Sequence, residues 1–509
     1  MNIDTEILVK GSLCLVAIIV ILWRHLRPGR LKPEQAGQAL CLTAAVSAMA
    51  YFNFGGFHGA GAIHHWEQFH YFLGSKYFPE LRYDGLYAAS LAAEEHAGLG
   101  HGLQSHVRDL RTNEVVPIGH VESHLMVVKD RFTARRWRAF CADNTYFLRS
   151  NAYDYITKIR RDHGYNPTPT WTFAARLFSR WLPATSRSLT ALAWIDPILL
   201  TVMLTFIFRS FGSRIGCLSL IIFGLGYPWR FDWVGGAFLR QDWLVAVGVA
   251  VCLLHRRRYG WAGALIAYAT MVRVFPGAFL LAPAVVACKE LVARQRPTWA
   301  LRLAGGFALG VLTCGLAGCL TGAGPSAWPE FLANLEKHHG TWLTNNVGLK
   351  NVLLYDVATM RRDDVDWNLP EPWIVWQGKM NRLDAERKPW LIAASASFLA
   401  VLAAAGWRRG LADTAMLGVA ATFAVVVLTC YYWVMLLFIP LGKGRWGPTV
   451  GWMTINLALF GLHRLTPPSF EMIYGLASWA LAAFFLVWFG PDAWRSLRDV
   501  RAHVRSDAR

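Results

Sequence analysis

The chain has 509 residues, of which 54% are hydrophobic and only 17% charged, against about 25% charged in soluble domains. Its formal net charge is +18, but Lys and Arg sit mainly between apolar runs and at the C-terminus, where they act as topology signals. This excludes a soluble multidomain chain and a nucleic-acid binder, and it predicts an all-α polytopic membrane protein, one integral membrane domain over 1–509.

In chain order, apolar runs predict spans at 7–23, 37–54, 188–208, 215–227, 241–254, 261–272, 275–288, 299–322, 389–407, 411–429, 433–441, 449–462 and 470–489. Several are shorter than the about 20 residues needed to cross a bilayer, so the bundle is expected to mix roughly 11–13 transmembrane and re-entrant helices. The first run, "ILVKGSLCLVAIIVILW", has no basic stretch before it and no small-residue cleavage site after it; it is expected to remain as the first helix. The positive-inside rule puts "RHLRPGRLK", "RSFGSR", "HRRRYG", "KELVARQR", "GWRRG", "GKGRWG" and the tail "RSLRDVRAHVRSDAR" on the cytoplasmic side. The long segments at about 55–186 and 323–388, with "YPWRFDWVGGAFLRQDW", "TCYYW" and "HRLTPPS", then fall outside. Cys14, Cys41, Cys217, Cys252, Cys314 and Cys319 lie in apolar runs and Cys141 in a polar one. They are expected to be small packing residues, without a disulfide framework or metal spacing.

The stretch "AYATMVRVFPGAFLLAPAV" carries Arg273 inside an apolar run, with Pro276 three residues later. A charge near the bilayer centre costs about 2.5–3.5 kcal/mol on insertion scales, so it marks a functional position by default. The run begins and ends on the cytoplasmic side, and two crossings need about 40 residues. A re-entrant pair of short helices is therefore expected, with Arg273 and Pro276 near the turn, where proline breaks the helix.

The first outside loop opens "FHGAGAIHHWEQFHYFLGSKYFPELRYDGLY". Glu67 is the sole carboxylate between the second span and Glu80. It is expected just above the bilayer, where a general base would meet a lipid-borne substrate. His64, His65 and His70 flank it as candidate substrate contacts; their spacing matches no recognised metal motif, and a polar, aromatic-rich surface segment is the alternative. Further on, Asp162 and His163 read as a solvated loop face before the Pro-rich "GYNPTPTW". In "YPWRFDWVGGAFLRQDW", Arg230, Asp232, Arg240, Gln241 and Asp242 are candidate substrate contacts or interface anchors. Arg240, Gln241 and Asp242 open an apolar helix, whose N-terminus favours an anion such as phosphate. In "TNNVGLK", Asn345 and Asn346 form a turn-prone run, and Lys350 either faces phosphate or snorkels.

Taken together these stretches resemble the C-type glycosyltransferase superfamily, in particular the glycosyltransferase family 87 group of polyprenol-phosphate-mannose-dependent mannosyltransferases. "WEQFHYFLGSKYFPELRYDGLY" is similar to the family's acidic motif, a carboxylate before an aromatic run, with Glu67 at or one position off the acidic site. "GYNPTPTW" echoes an aromatic-Pro-Pro segment, with Thr168 between the prolines. "RQDWLVAVGVAVCLLHRRRYGWAGALIAYATMVRVFP" is similar to a G-Q-x-N segment, apolar helix, basic loop and K-x-x-P. Arg273 stands at the lysine position, and Asp242 or Trp243 replaces the amide. "TNNVGLK" is similar to an N-x-S-hydrophobic stretch. Glu in place of Asp, Arg in place of Lys, and the basic insert "RDLRTNEVVPIGHVESHLMVVKDRFTARRWRAF" are departures.

The resemblance implies a bundle of the C-type glycosyltransferase kind in the cytoplasmic membrane, with its site on the periplasmic or outer side. It implies inverting transfer of a monosaccharide, mannose or a related sugar, from a polyprenyl-phosphate donor to a glycan or glycolipid acceptor, without a cofactor or divalent metal. Glu67 would be the base, with Asp232 and Asp242 as the fallback carboxylates. Arg273, Arg240 and Lys350 would meet the phosphate. A lipid or sugar transporter is the rival reading, since it also uses broken helices and buried charge. It predicts inverted repeats, which the sequence does not display.

Overall fold

The structure, a computed structural model, describes residues 3–26, 33–59, 61–98, 104–338, 340–354, 364–442, 446–465 and 469–507. The basic loop at 27–32 and the turns at 443–445 and 466–468, parts of the expected topology signals, lie outside the described residues. Six helices are long and apolar enough to cross a membrane: Ile3–Trp23, Ser186–Phe211, Phe275–Val292, Thr298–Gly318, Ile374–Arg408 and Phe470–Asp499. Shorter apolar segments are Ser213–Leu225, Asp242–His255, Leu411–Val425 and Cys430–Leu441. Among the described residues the sheet content is two two-stranded ladders. The chain is an all-α polytopic membrane protein.

Helix Thr298–Gly318 shows why. Leu301, Leu309, Leu312 and Leu316 are 75, 65, 59 and 61% exposed, an apolar face that suits hydrocarbon and not water. Its other face is cut down to glycine. A Cβ on Gly306 would stand 2.0 Å from the Gly260 carbonyl, and one on Gly263 2.1 Å from that of Leu303. Helices Tyr259–Arg273 and Thr298–Gly318 therefore pack backbone to backbone, the usual solution where no hydrophobic force drives helices together in lipid.

The helix break expected at Arg273 and Pro276 is present, but of the two expected short arms only Tyr259–Arg273 is short, while Phe275–Val292 is long and apolar enough to cross a membrane. Helices Asp242–His255 and Tyr259–Arg273 have 14 and 15 residues, about 21–22 Å at 1.5 Å per residue, short of the about 30 Å hydrocarbon core. The second ends at Arg273; Val274 takes φ +61°, and a 3-10 turn, Phe275–Leu280, leads into helix Leu281–Val292. Two boundaries differ from expectation. Helix Ile374–Arg408 starts well before Pro389 and runs through it, and helix Phe470–Asp507 runs through Pro491 beyond the expected end at 489. Both extensions are charged stretches without an apolar signal. Cys14, Cys217 and Cys252 are buried as expected, but Cys41 is exposed.

The 55–186 segment is a folded body. It holds a hairpin, His106–Asp109 with Glu114–Pro117, and helices Leu86–His96, Glu122–Asp130, Ala134–Ser150, Tyr153–Ile159 and Pro169–Ser179. Thr168, between the two prolines, caps the last of these by accepting from the Trp171 N–H at 3.2 Å, with Pro169 in the first turn. Arginines of the basic insert are paired here: Arg131 with Asp84 at 2.9 Å, Arg136 with Glu80, and Arg108 with Glu371 at 2.9 Å. The 323–388 segment packs on the same body. Asn334 Nδ2 donates to Asn166 Oδ1 at 2.9 Å, and Lys337 Nζ to the Leu110 carbonyl. The two long segments thus share one end of the bundle, as the charge bias predicts.

Candidate functional site

Two turns are clamped together to make the site. The segment after helix Phe231–Val234 bends through Gly236 (φ +78°) and Leu239 (φ +53°). A Cβ on Gly236 would stand 1.8 Å from the Ala62 carbonyl, so only glycine allows the approach. The Gly236 carbonyl accepts from the His64 N–H at 3.1 Å and from Gln68 Nε2 at 3.0 Å. These bonds hold the short helix His65–Gln68 against the 230s turn, and they bring Glu67 to Arg240.

Arg240 is 4% exposed. Its Nε lies 2.8 Å from Glu67 Oε2. Its Nη1 donates to the Tyr71 hydroxyl and its Nη2 to that of Tyr431 at 3.4 Å. The guanidinium sits 4.3 Å from the Tyr71 ring centre, a cation–π contact in a desolvated setting. The backbone N–H groups of Arg240 and Gln241 donate to Asp196 at 2.9 and 3.2 Å. An internal carboxylate thus takes the two N–H groups that lead into this helix, Arg240 and Gln241.

Arg273, at the end of its helix, is the second cation. Its Nε and Nη2 are buried and have no hydrogen-bond partner. Its guanidinium lies 5.8 Å from the Trp171 ring centre. Trp171 packs edge-on against Tyr71 at 5.2 Å and donates to the Leu239 carbonyl at 2.7 Å. One aromatic pair thus carries Arg240 on one ring and Arg273 on the other. The charges of Glu67, Asp242 and Arg240 all act on Arg273 or are acted on by it.

Among the carboxylates, Glu67 is set apart. Its side chain is 15% exposed. Burial pushes its carboxyl up and Arg240 pulls it down, with a further push up from Asp162; the net is a rise above the ordinary glutamate range. Asp242 is engaged on both oxygens, by the Trp243 N–H at 2.8 Å and the Tyr268 hydroxyl at 2.9 Å. Asp232 is 46% exposed and 3.6 Å from His58. Burial raises it, but the hydrogen bond and charge of His58, with Arg230, outweigh this and leave it below the usual range.

Other sequence candidates have different places. Arg230 stands with the first helix: its Nε is 3.9 Å from Glu6, which bonds Lys10 at 2.6 Å. His64 bonds the Asp232 carbonyl at 3.0 Å, and burial, then the neighbouring His58, brings it down to about 3. His65 meets Asn151 at 3.2 Å. His70 meets Tyr87 at 2.7 Å and the Trp66 carbonyl at 2.9 Å. Three separate partners hold the three imidazoles, so they build the wall rather than a common ligand site. Lys350 is occupied by Asp384 at 2.7 Å. Asn346 pairs with Thr429 in the short ladder, and the Asn345 carbonyl accepts from the Cys430 N–H at 2.9 Å. "TNNVGLK" therefore anchors the segment that leads into Tyr431, whose hydroxyl meets Arg240. Asp162 and His163 are not a solvated face: Asp162 accepts from the Trp66 indole at 2.7 Å, and His163 bonds Asn113 at 2.9 Å.

Sequence reasoning missed Asp196, Tyr71, Trp171, Tyr268 and Tyr431. The doublet in "TCYYW" was the available signal, two polar-tipped rings between apolar runs. An apolar groove of about 350 Å³, lined in part by Leu177, Leu199, Val249 and Leu265, ends at Asp242 and Tyr268. No protein-family model, no curated protein and no solved structure matches this chain.

Proposed function

We propose that the chain is an inverting membrane glycosyltransferase of the C-type kind. It moves a monosaccharide, mannose or a related sugar, from a polyprenyl-phosphate donor to a glycan or glycolipid acceptor on the outer side of the cytoplasmic membrane. The observation that carries this is the pairing of Glu67 with the buried Arg240, joined through Tyr71 and Trp171 to Arg273, whose Nε and Nη2 are buried without a partner.

The isoprenoid tail is assigned to the Leu177–Leu265 groove, whose lining includes Asp242 and Tyr268, and the charge of Arg273 acts on Asp242. Arg273 offers two free N–H donors and a charge that does not titrate, suited to phosphate in a planar, bidentate way. Arg240 is rigidly held by Asp196 and Tyr71 and can share its charge between Glu67 and the phosphate. Glu67 takes the proton of an acceptor hydroxyl while that oxygen bonds to C1 of the sugar. The C1–O bond to phosphate breaks on the opposite face, and the polyprenyl phosphate leaves with the electron pair. The negative charge that grows on its oxygen is met by fixed guanidinium donors in a water-poor setting.

The test is transfer of label from radiolabelled polyprenyl-phosphate sugars by the purified protein in nanodiscs supplied with membrane glycan acceptors. Label in the acceptor supports the reading. Donor binding without transfer, coupled to donor movement across vesicles, would assign the protein to lipid transport.

A further inference from the structure

A second cavity, of about 630 Å³, lies beside the Glu67 site and is lined by five tryptophans: Trp233, Trp342, Trp367, Trp373 and Trp376. The rings of Trp367, Trp373 and Trp376 follow one another at 6.0 Å centre to centre, each step turned by 76°. Trp367 is 75% exposed although it is the largest apolar side chain type. The same walls carry unsatisfied donors. The indole N–H groups of Trp233 and Trp376 and the Nε of Arg161 are buried and make no hydrogen bond. Three such groups in one wall need an explanation, because a buried polar group without a partner costs about 1–3 kcal/mol. Among charged lining residues, Arg108 is paired with Glu371 at 2.9 Å and Lys158 with Asp154 at 2.7 Å, which leaves Arg161 as the cation not spent on a carboxylate.

Side-chain contacts link the cleft to the Glu67–Arg240 grouping. Trp233 packs against Tyr431 at 6.4 Å, and Tyr431 reaches Arg240. On the other wall His163 lines the cleft and adjoins Asp162, which holds Trp66 next to Glu67.

We propose that this cleft binds the sugar chain of the acceptor, and that the chain is acidic. Broad indole faces match the C–H faces of pyranose rings, and the free indole N–H groups match ring hydroxyls. Arg161, whose Nε has no partner, selects a carboxylate-bearing saccharide. This rests on the glycosyl-transfer reading of the Glu67 site.

Isothermal titration of the intact protein in nanodiscs, without donor, tests it with linear tetrasaccharides of glucose, mannose and galactose and their uronate counterparts. A uronate is expected to bind most tightly, about tenfold over its neutral counterpart. Arg161→Gln should remove that preference. Trp367→Ala, at an exposed position that does not hold the fold, and Trp373→Ala should each weaken binding about tenfold. Absence of saturable binding across the set, equal binding of neutral and acidic forms, or binding indifferent to both Trp variants overturns the proposal. Transfer activity alongside any of those results leaves the reaction standing and removes only the cleft assignment. Tryptophan-dependent uronate binding without any transfer does the reverse.

Discussion

In the folded body, Arg160 is fully buried and every donor direction is used: Glu94 at 2.6 Å, Gln104 at 3.1 Å, and Ser90 from both Nε and Nη2. At the tip of the helix hairpin, Arg273 has two buried nitrogens with no partner. The same side chain is thus a completed network in one region and an open one in the other. A completed buried pair resists loss of either member, because removal strands the remaining charge. An open one contributes no such pairing, so its retention points to a ligand.

This contrast can be broken by substitution. The largest effect is expected where the open site does chemistry. Glu67→Gln keeps shape but removes the proposed base, and turnover should fall by about 10²–10⁴ in the label-transfer assay, with donor binding intact. Asp232→Asn should stay near parental; the opposite ranking would move the base to the 230s turn. Next comes Arg160→Ala, which leaves Glu94 buried and unpaired and should cost about 3–5 kcal/mol in unfolding measurements. Unchanged stability there would show that the network is solvated. Arg273→Ala should behave in the reverse sense, with unfolding unchanged or slightly later. Donor affinity should drop by at least about tenfold, or roughly 1.4 kcal/mol, and be partly restored in Arg273→Lys. Parental donor affinity in the Ala variant removes Arg273 from the phosphate site.

The smallest effect is in pH. Burial first, opposed by Arg240, leaves the Glu67 carboxyl above its ordinary range. A base works deprotonated, so activity should fall as pH drops through that elevated value, placing the acid limb above the about 4.3 of a free glutamate. Arg240→Gln takes away the cation that holds Glu67 down, so the acid limb of the residual activity should move to still higher pH. A limb that moves downward, or does not move, separates Glu67 from the profile.

How much of this was legible beforehand differs by residue. Arg273 and its turn were readable because a charge and a proline three apart in an apolar run are anomalous on local grounds alone. Glu67 was readable as an isolated carboxylate following a span. Lys350 was misread because Asp384, 34 residues on, takes its charge. Asp196 was invisible because a lone acid near the start of an apolar helix gives no hint that it caps a turn 44 residues later.

Local hydropathy and the distribution of Lys and Arg determined the membrane class, most span positions and the helix break at Arg273, since these follow from transfer energies summed over neighbouring residues. Only the tertiary structure decided which charges are spent on one another and which remain free. That depends on partners far apart in the chain, such as Glu67 with Arg240, Arg108 with Glu371 and Tyr431 with Arg240. Such pairing energies depend on distance in space and on exclusion of water, neither of which is a property of a residue and its chain neighbours.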